Sequence, residues 1–123
     1  MKHSFLPIII AMLGIFASGA LANPPDSLRM NLDSTGLLTV QVFHLVKDPA
    51  KHYITKVVVE LNGKTIIQQS LSSQTDNKVQ ELIYKIIDAK VKDKIAVTAN
   101  CNITGKKKDI LTVGEKSKTE EQK

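Results

Sequence analysis

Three side chains in this sequence have the chemistry to hold a transition metal: His44, His52 and Cys101. Imidazole nitrogen and thiolate sulfur together suit iron, zinc or copper. His44 closes one β-patterned segment on its apolar side. His52 opens the next segment across a loop of seven residues, and Cys101 ends a later one, again on the apolar side. Three ligands at strand ends can meet at one end of a β-sandwich. The spacing alone is not a metal signature, because a buried cysteine and histidines at loop edges are also ordinary structure. A metal site requires the Cys101 sulfur to lie within about 4 Å of an imidazole nitrogen, and separations above about 10 Å would leave a domain without metal.

The segments that must position these residues read as an all-β domain. Leu28–Leu32 is a weak first strand, ended by the turn cluster Asp33-Ser34-Thr35-Gly36. In residues 37–44, Leu38, Val40, Val42 and His44 share one face while Thr39 and Gln41 take the other. Residues 52–61 place Tyr53, Thr55, Val57, Val59 and Leu61 together, and Asn62-Gly63 is a strong hairpin signal leading into residues 65–71. Ser72–Asn77 is a polar loop. Residues 79–87 alternate through Leu82, Tyr84 and Ile86; Leu82, Ile83, Ile86 and Ile87 also fit a helical period, but the β context ranks strand above helix. Ile95, Val97, Ala99 and Cys101 share a face, a turn surrounds Gly105, and residues 109–113 close the last hairpin. About seven short strands at such intervals predict an antiparallel sandwich.

The flanks have a different character. Lys2 and His3, an apolar run over residues 5–17 and the small-residue site Ala20-Leu21-Ala22 form a three-part secretory signal over residues 1–22. The run is too short for a spanning helix, which needs about 20 residues. Cleavage after Ala22 would put the protein in the periplasm, or outside the cell as the second choice, and would remove His3. Residues 23–114 then form one domain, and residues 115–123 a disordered charged tail.

The net charge is +5, and there is no tryptophan and a single cysteine. With few aromatics there is no stacking platform for nucleic acid. The lysines read as solubility, with no stable membrane anchor. An exported protein normally pairs its cysteines. The lone Cys101 is therefore a buried inert thiol, a partner for another chain's cysteine, or a metal ligand. Glycine-rich phosphate loops and nucleophile elbows are absent from the sequence. Asn102-Ile103-Thr104 is a formal glycosylation sequon, read as chance.

Val42-Phe43-His44 to His52-Tyr53-Ile54, followed by Cys101-Asn102, resembles the iron-binding domain of the desulfoferrodoxin and superoxide reductase family across residues 37–113. The resemblance implies an immunoglobulin-like β-sandwich. It also implies an iron held by imidazoles and an axial cysteine thiolate, which reduces superoxide to peroxide. By position, His52 and Cys101 correspond best and His44 more loosely, with Leu45 in place of the family's proline. Thr104 stands where the family has a further histidine, and Lys56 where it has a tryptophan. Two histidines cannot supply four equatorial ligands, so the set implied here is His44, His52 and Cys101, with iron first and zinc or copper as alternatives.

Two other readings accompany it. One is a non-catalytic sandwich that keeps the scaffold without metal and binds an envelope protein partner or a second copy of itself through its edges and end loops. The other gives Cys101 a sulfur-carrying or thiol-exchange role, against which its place inside the domain argues.

Overall fold

The computed structural model describes residues 23–115. The expected signal peptide, and all of the expected tail except Glu115, lie outside the described residues. Seven strands follow in order: β1 (Ser27–Leu32), β2 (Leu37–Phe43), β3 (Ile54–Leu61), β4 (Lys64–Ser70), β5 (Val79–Lys85), β6 (Lys94–Cys101) and β7 (Lys106–Thr112). They form two antiparallel sheets of order β1-β2-β5 and β4-β3-β6-β7. No helix occurs among the described residues, and accordingly none long and apolar enough to cross a membrane. The all-β, sandwich-like architecture expected from the sequence is therefore present.

Alternation explains which faces meet. Leu28 and Met30 of β1, Leu38, Val40 and Val42 of β2, and Leu82 of β5 project from one sheet. Ile54, Val57 and Val59 of β3 and Ile95, Val97 and Ala99 of β6 project from the other, and together they form one buried cluster. Burying each such side chain contributes about 1.5–3 kcal/mol, more than the roughly 1 kcal/mol net of one hydrogen bond. The apolar cluster therefore determines the fold, and polar groups at its end can be varied without dismantling it.

Turn chemistry sets the registers. Asn62 (φ 50°) and Gly63 (φ 83°) both adopt the left-handed region, and Leu61 pairs with Lys64 across them, the pattern of a two-residue type I′ hairpin. The Asp33 carboxylate accepts from the backbone N–H groups of Thr35 and Leu37 and from the Thr35 hydroxyl. These bonds lower its pKa. β7 is an edge strand whose Lys106, Lys107 and Lys108 are exposed, which discourages pairing with another chain.

Four local expectations are corrected. β3 begins at Ile54 rather than His52, leaving His52 and Tyr53 in the preceding loop. Ile54 pairs with Cys101 but Lys56 with Asn100, so Thr55 is an extra residue on β3. That bulge turns Ile54 inward beside Val57 and breaks the expected shared face of Tyr53, Thr55 and Val57. β5 ends at Lys85, and residues 86–93 are irregular, neither strand nor helix. β7 starts three residues early, taking the lysine run out of the turn.

Tyr84 bridges the two sheets. Its hydroxyl donates to Gln69 Oε1 at 2.7 Å, from β5 to β4. Partial burial pushes its pKa up to about 12, from an ordinary 10.0. The unfolded chain thus loses this proton at lower pH than the folded one. The contribution is complete below pH 10 and is lost as pH rises towards 12. Urea melts between pH 9 and 11 should show a shallower alkaline loss of stability for Tyr84→Phe than for the parent. An unchanged slope would assign that loss to other groups.

Candidate metal centre

One end of the sandwich collects the C-terminal ends of β2 and β6, the loop entering β3 and the residues leading into β1. His44 continues the inward face of β2 past Phe43, so it follows Val42 into the interior with no exposed surface. Its N–H donates to Lys78 O at 2.9 Å, extending the β2–β5 ladder beyond the strand ends. His52 is placed by a turn at Asp48. The Asp48 carboxylate accepts from Ala50 N–H at 3.0 Å, and its carbonyl accepts from Lys51 and His52 N–H at 3.1 and 2.9 Å. Cys101 ends the inward face of β6, 9% exposed and in no disulfide.

The structure brings the three residues together. His52 Nε2 lies 3.1 Å from Cys101 Sγ, inside the distance a common ion requires. The rings of His44 and His52 meet edge to face, with centroids 4.7 Å apart at 88°. One ligand atom from each of His44, His52 and Cys101 lies within 4.8 Å of the others. Two donors at right angles on one ion, with metal–nitrogen and metal–sulfur distances of about 2.0 and 2.3 Å, stand about 3.1 Å apart. The His52–Cys101 pair already has that separation. A pair at the 4.8 Å limit must close by about 1.7 Å to reach it.

Asn102 locks the loop that carries His52. Its Oδ1 accepts from Tyr53 N–H at 2.9 Å, its Nδ2 donates to Lys51 O at 2.9 Å, and its backbone N–H donates to Tyr53 O at 3.0 Å. His52 is thus bracketed from both sides by the residue that follows Cys101. The backbone N–H of Ile103 points at Cys101 Sγ from 3.4 Å. Burial lowers the pKa of His52, the adjacent His44 ring acts the same way, and the Asn23 carbonyl opposes both. At neutral pH His52 is therefore held in its neutral, ligand-competent form.

Sequence reasoning missed two participants, Gln74 and Asn23. Gln74 is buried in the loop before β5, and its side-chain amide donates to His44 O at 2.8 Å and Asp76 O at 3.0 Å. Both amide hydrogens are thereby engaged by carbonyls, which orients Oε1 towards His44 Nδ1 at 2.8 Å. Nδ1 must carry the hydrogen of that bond, so in the neutral ring the lone pair is on Nε2. Yet Nε2 faces another acceptor, the Asn23 carbonyl oxygen, at 2.8 Å. A single ring N–H cannot serve both acceptors, so this contact calls for a second hydrogen or another positive centre. A metal ion bound here would accept both lone pairs. No sequence signal marks a glutamine 30 residues from the histidine it orients, nor a backbone carbonyl.

In comparisons with known proteins, no protein-family model matches the chain and no curated protein does.

Proposed function

We propose that this chain is an exported metal-binding β-sandwich of the superoxide reductase-like type, holding one transition metal, iron in the first place, through His44, His52 and Cys101. The observation that carries the reading is the tautomer of His44. Gln74 fixes hydrogen on Nδ1 and leaves the Nε2 lone pair facing the Asn23 carbonyl oxygen, within the same cluster as His52 and Cys101. A histidine ligand oriented through its other ring nitrogen by an amide or carboxylate oxygen is the usual arrangement at metal sites. The strand order also supports the finer fold. Strands 1, 2 and 5 in one sheet and 3, 6 and 7 in the other match the A-B-E and C-F-G sets of an immunoglobulin-like sandwich, with β4 added beside β3.

A ferrous ion in this site would supply the electron that, with two protons, converts superoxide to hydrogen peroxide. The chain's own contributions are separate from that step. Gln74 fixes the His44 tautomer, Asn102 fixes the His52 loop, and the Ile103 N–H points at the Cys101 sulfur. Asn23, at the mouth of the site, is exposed, so a small anion can approach from solvent.

Anaerobic loading of the protein beginning at Asn23, followed by metal analysis, should give one iron per chain, and stopped-flow mixing with superoxide should show its consumption by the loaded form. One zinc or copper in preference to iron would keep the site and reassign the metal. No bound metal after loading would defeat the reading in favour of the metal-free binding module. That outcome would be tested further by capture of an envelope partner.

A further inference from the structure

We infer that removal of the signal segment completes this metal site, because cleavage after Ala22 converts the backbone nitrogen of Asn23 into an amine donor beside it. The inference rests on the metal reading above and on cleavage at that bond.

Asn23 is already in the cluster. Its carbonyl oxygen lies 2.8 Å from His44 Nε2. Before cleavage its nitrogen is an amide of Ala22, with its lone pair delocalised and no useful affinity for a metal. After cleavage it is a primary amine, whose localised lone pair can bind a metal.

The local sequence prepares the geometry. Pro24 confines Asn23 to extended backbone with ψ of about +120 to +160°. At such ψ the residue's own nitrogen and carbonyl oxygen are nearly eclipsed, about 2.7–2.9 Å apart. One metal can then take both in a five-membered chelate ring. The arm is held in place as well. Pro25 is buried, and the Asp26 N–H donates to Phe43 O at 2.8 Å. Gly105 (φ 80°) supports Pro24 closely enough that a Cβ on Gly105 would lie 2.3 Å from Pro24 Cβ. The glycine turn after Cys101 therefore keeps open the seat that the N-terminal arm occupies. With the amine and carbonyl of Asn23 added, two imidazoles and one thiolate become a five-donor set.

The test compares the chain beginning at Asn23 with one retaining Ser18–Ala22 ahead of it, each titrated with iron(II) under anaerobic conditions and with copper(II). Matching urea midpoints of the metal-free forms would establish equal folding. The Asn23 form should bind at least tenfold more tightly and release one more proton per metal at pH 7. Labelling the Asn23 α-nitrogen with ¹⁵N should change the nitrogen hyperfine pattern of the copper(II) form. Gly105→Ala, which displaces the arm but leaves the amine free, should lower affinity towards that of the extended chain. Equal, tight binding by both forms would overturn this inference and leave the metal reading intact. No binding by either would overturn the metal reading itself. An exported protein whose intact mass places its first residue anywhere but Asn23 would also overturn the inference.

Discussion

Cys101→Ala should abolish the metal-dependent part of this protein's stability while leaving the metal-free fold nearly unchanged. A metal that binds only the folded chain adds about 2.7 kcal/mol at a concentration 100 times its Kd. For a domain of this size, 1 kcal/mol moves Tm by about 4–8 °C. The parent should therefore melt about 10–20 °C higher with iron(II) than with chelator. Loss of the only sulfur ligand removes a donor held 3.1 Å from His52 Nε2. It should lower affinity by more than the 10–100-fold typical of losing a group behind the ligands, so the variant should show no metal-dependent shift. Its metal-free Tm should fall only slightly, because Cys101 lies at the end of β6 and the apolar cluster is intact. Thiolate-to-metal charge-transfer absorption should vanish in parallel. Paired scanning calorimetry with and without metal checks this, and a Cys101→Ala protein that kept the full upward shift would show that sulfur is no ligand.

The strands were legible in the sequence because period-2 alternation survives folding wherever both sheets face one core. Leu38, Val40, Val42 and His44 were expected on one face, and all four are fully buried. Ile95, Val97, Ala99 and Cys101 were also expected on one face, and the first three are fully buried with Cys101 9% exposed. The Asn62-Gly63 hairpin was equally plain, since positive φ at two successive residues narrows the choice of residue. Alternation failed at Thr55. A bulge is an insertion in one strand relative to its partner, and a single strand read alone has no partner to count against. The lysines of β7 hid an edge strand because solvent-facing residues there serve solubility and edge protection rather than packing.

The site divides in a similar way. Its three candidate ligands were readable from residue type, because histidine and cysteine are scarce in this chain and the strand ends placed them together. The groups that orient those ligands were not readable. Gln74 acts through one amide and Asn23 through a main-chain carbonyl, and each is defined only by the loop that brings it near. Asn102 was noted for its neighbourhood to Cys101, but its bonds to Lys51 and Tyr53 across the two loops follow from the β3–β6 register.

Gln74 gives the second large effect, and two substitutions separate its tasks. Gln74→Leu removes the donors to His44 O and Asp76 O and the acceptor for His44 Nδ1. Leaving the buried His44 carbonyl unpaired costs about 1–3 kcal/mol, and the part-buried Asp76 carbonyl less, so the metal-free fold should lose about 1–4 kcal/mol in urea denaturation. The His44 ring also loses the bond that fixes its tautomer, which should cost a further 10–100-fold in metal affinity. Gln74→Glu keeps an oxygen opposite Nδ1 but sets its other oxygen against the two carbonyls. Its metal-free fold should be weakened much as in Gln74→Leu. Its metal affinity should stay within about threefold of the parent, because a carboxylate behind a histidine raises the ring's basicity towards a metal. A residue that merely packed would show affinity falling with stability in both variants. If the two effects instead part company, as expected, Gln74 holds the lone pair of His44 towards the metal, and the stability it adds to the loop is a separate contribution. Isothermal titration of both variants at a temperature where each is folded decides between these outcomes, and equal affinity losses in the two would refute the tautomer argument on which the metal reading stands.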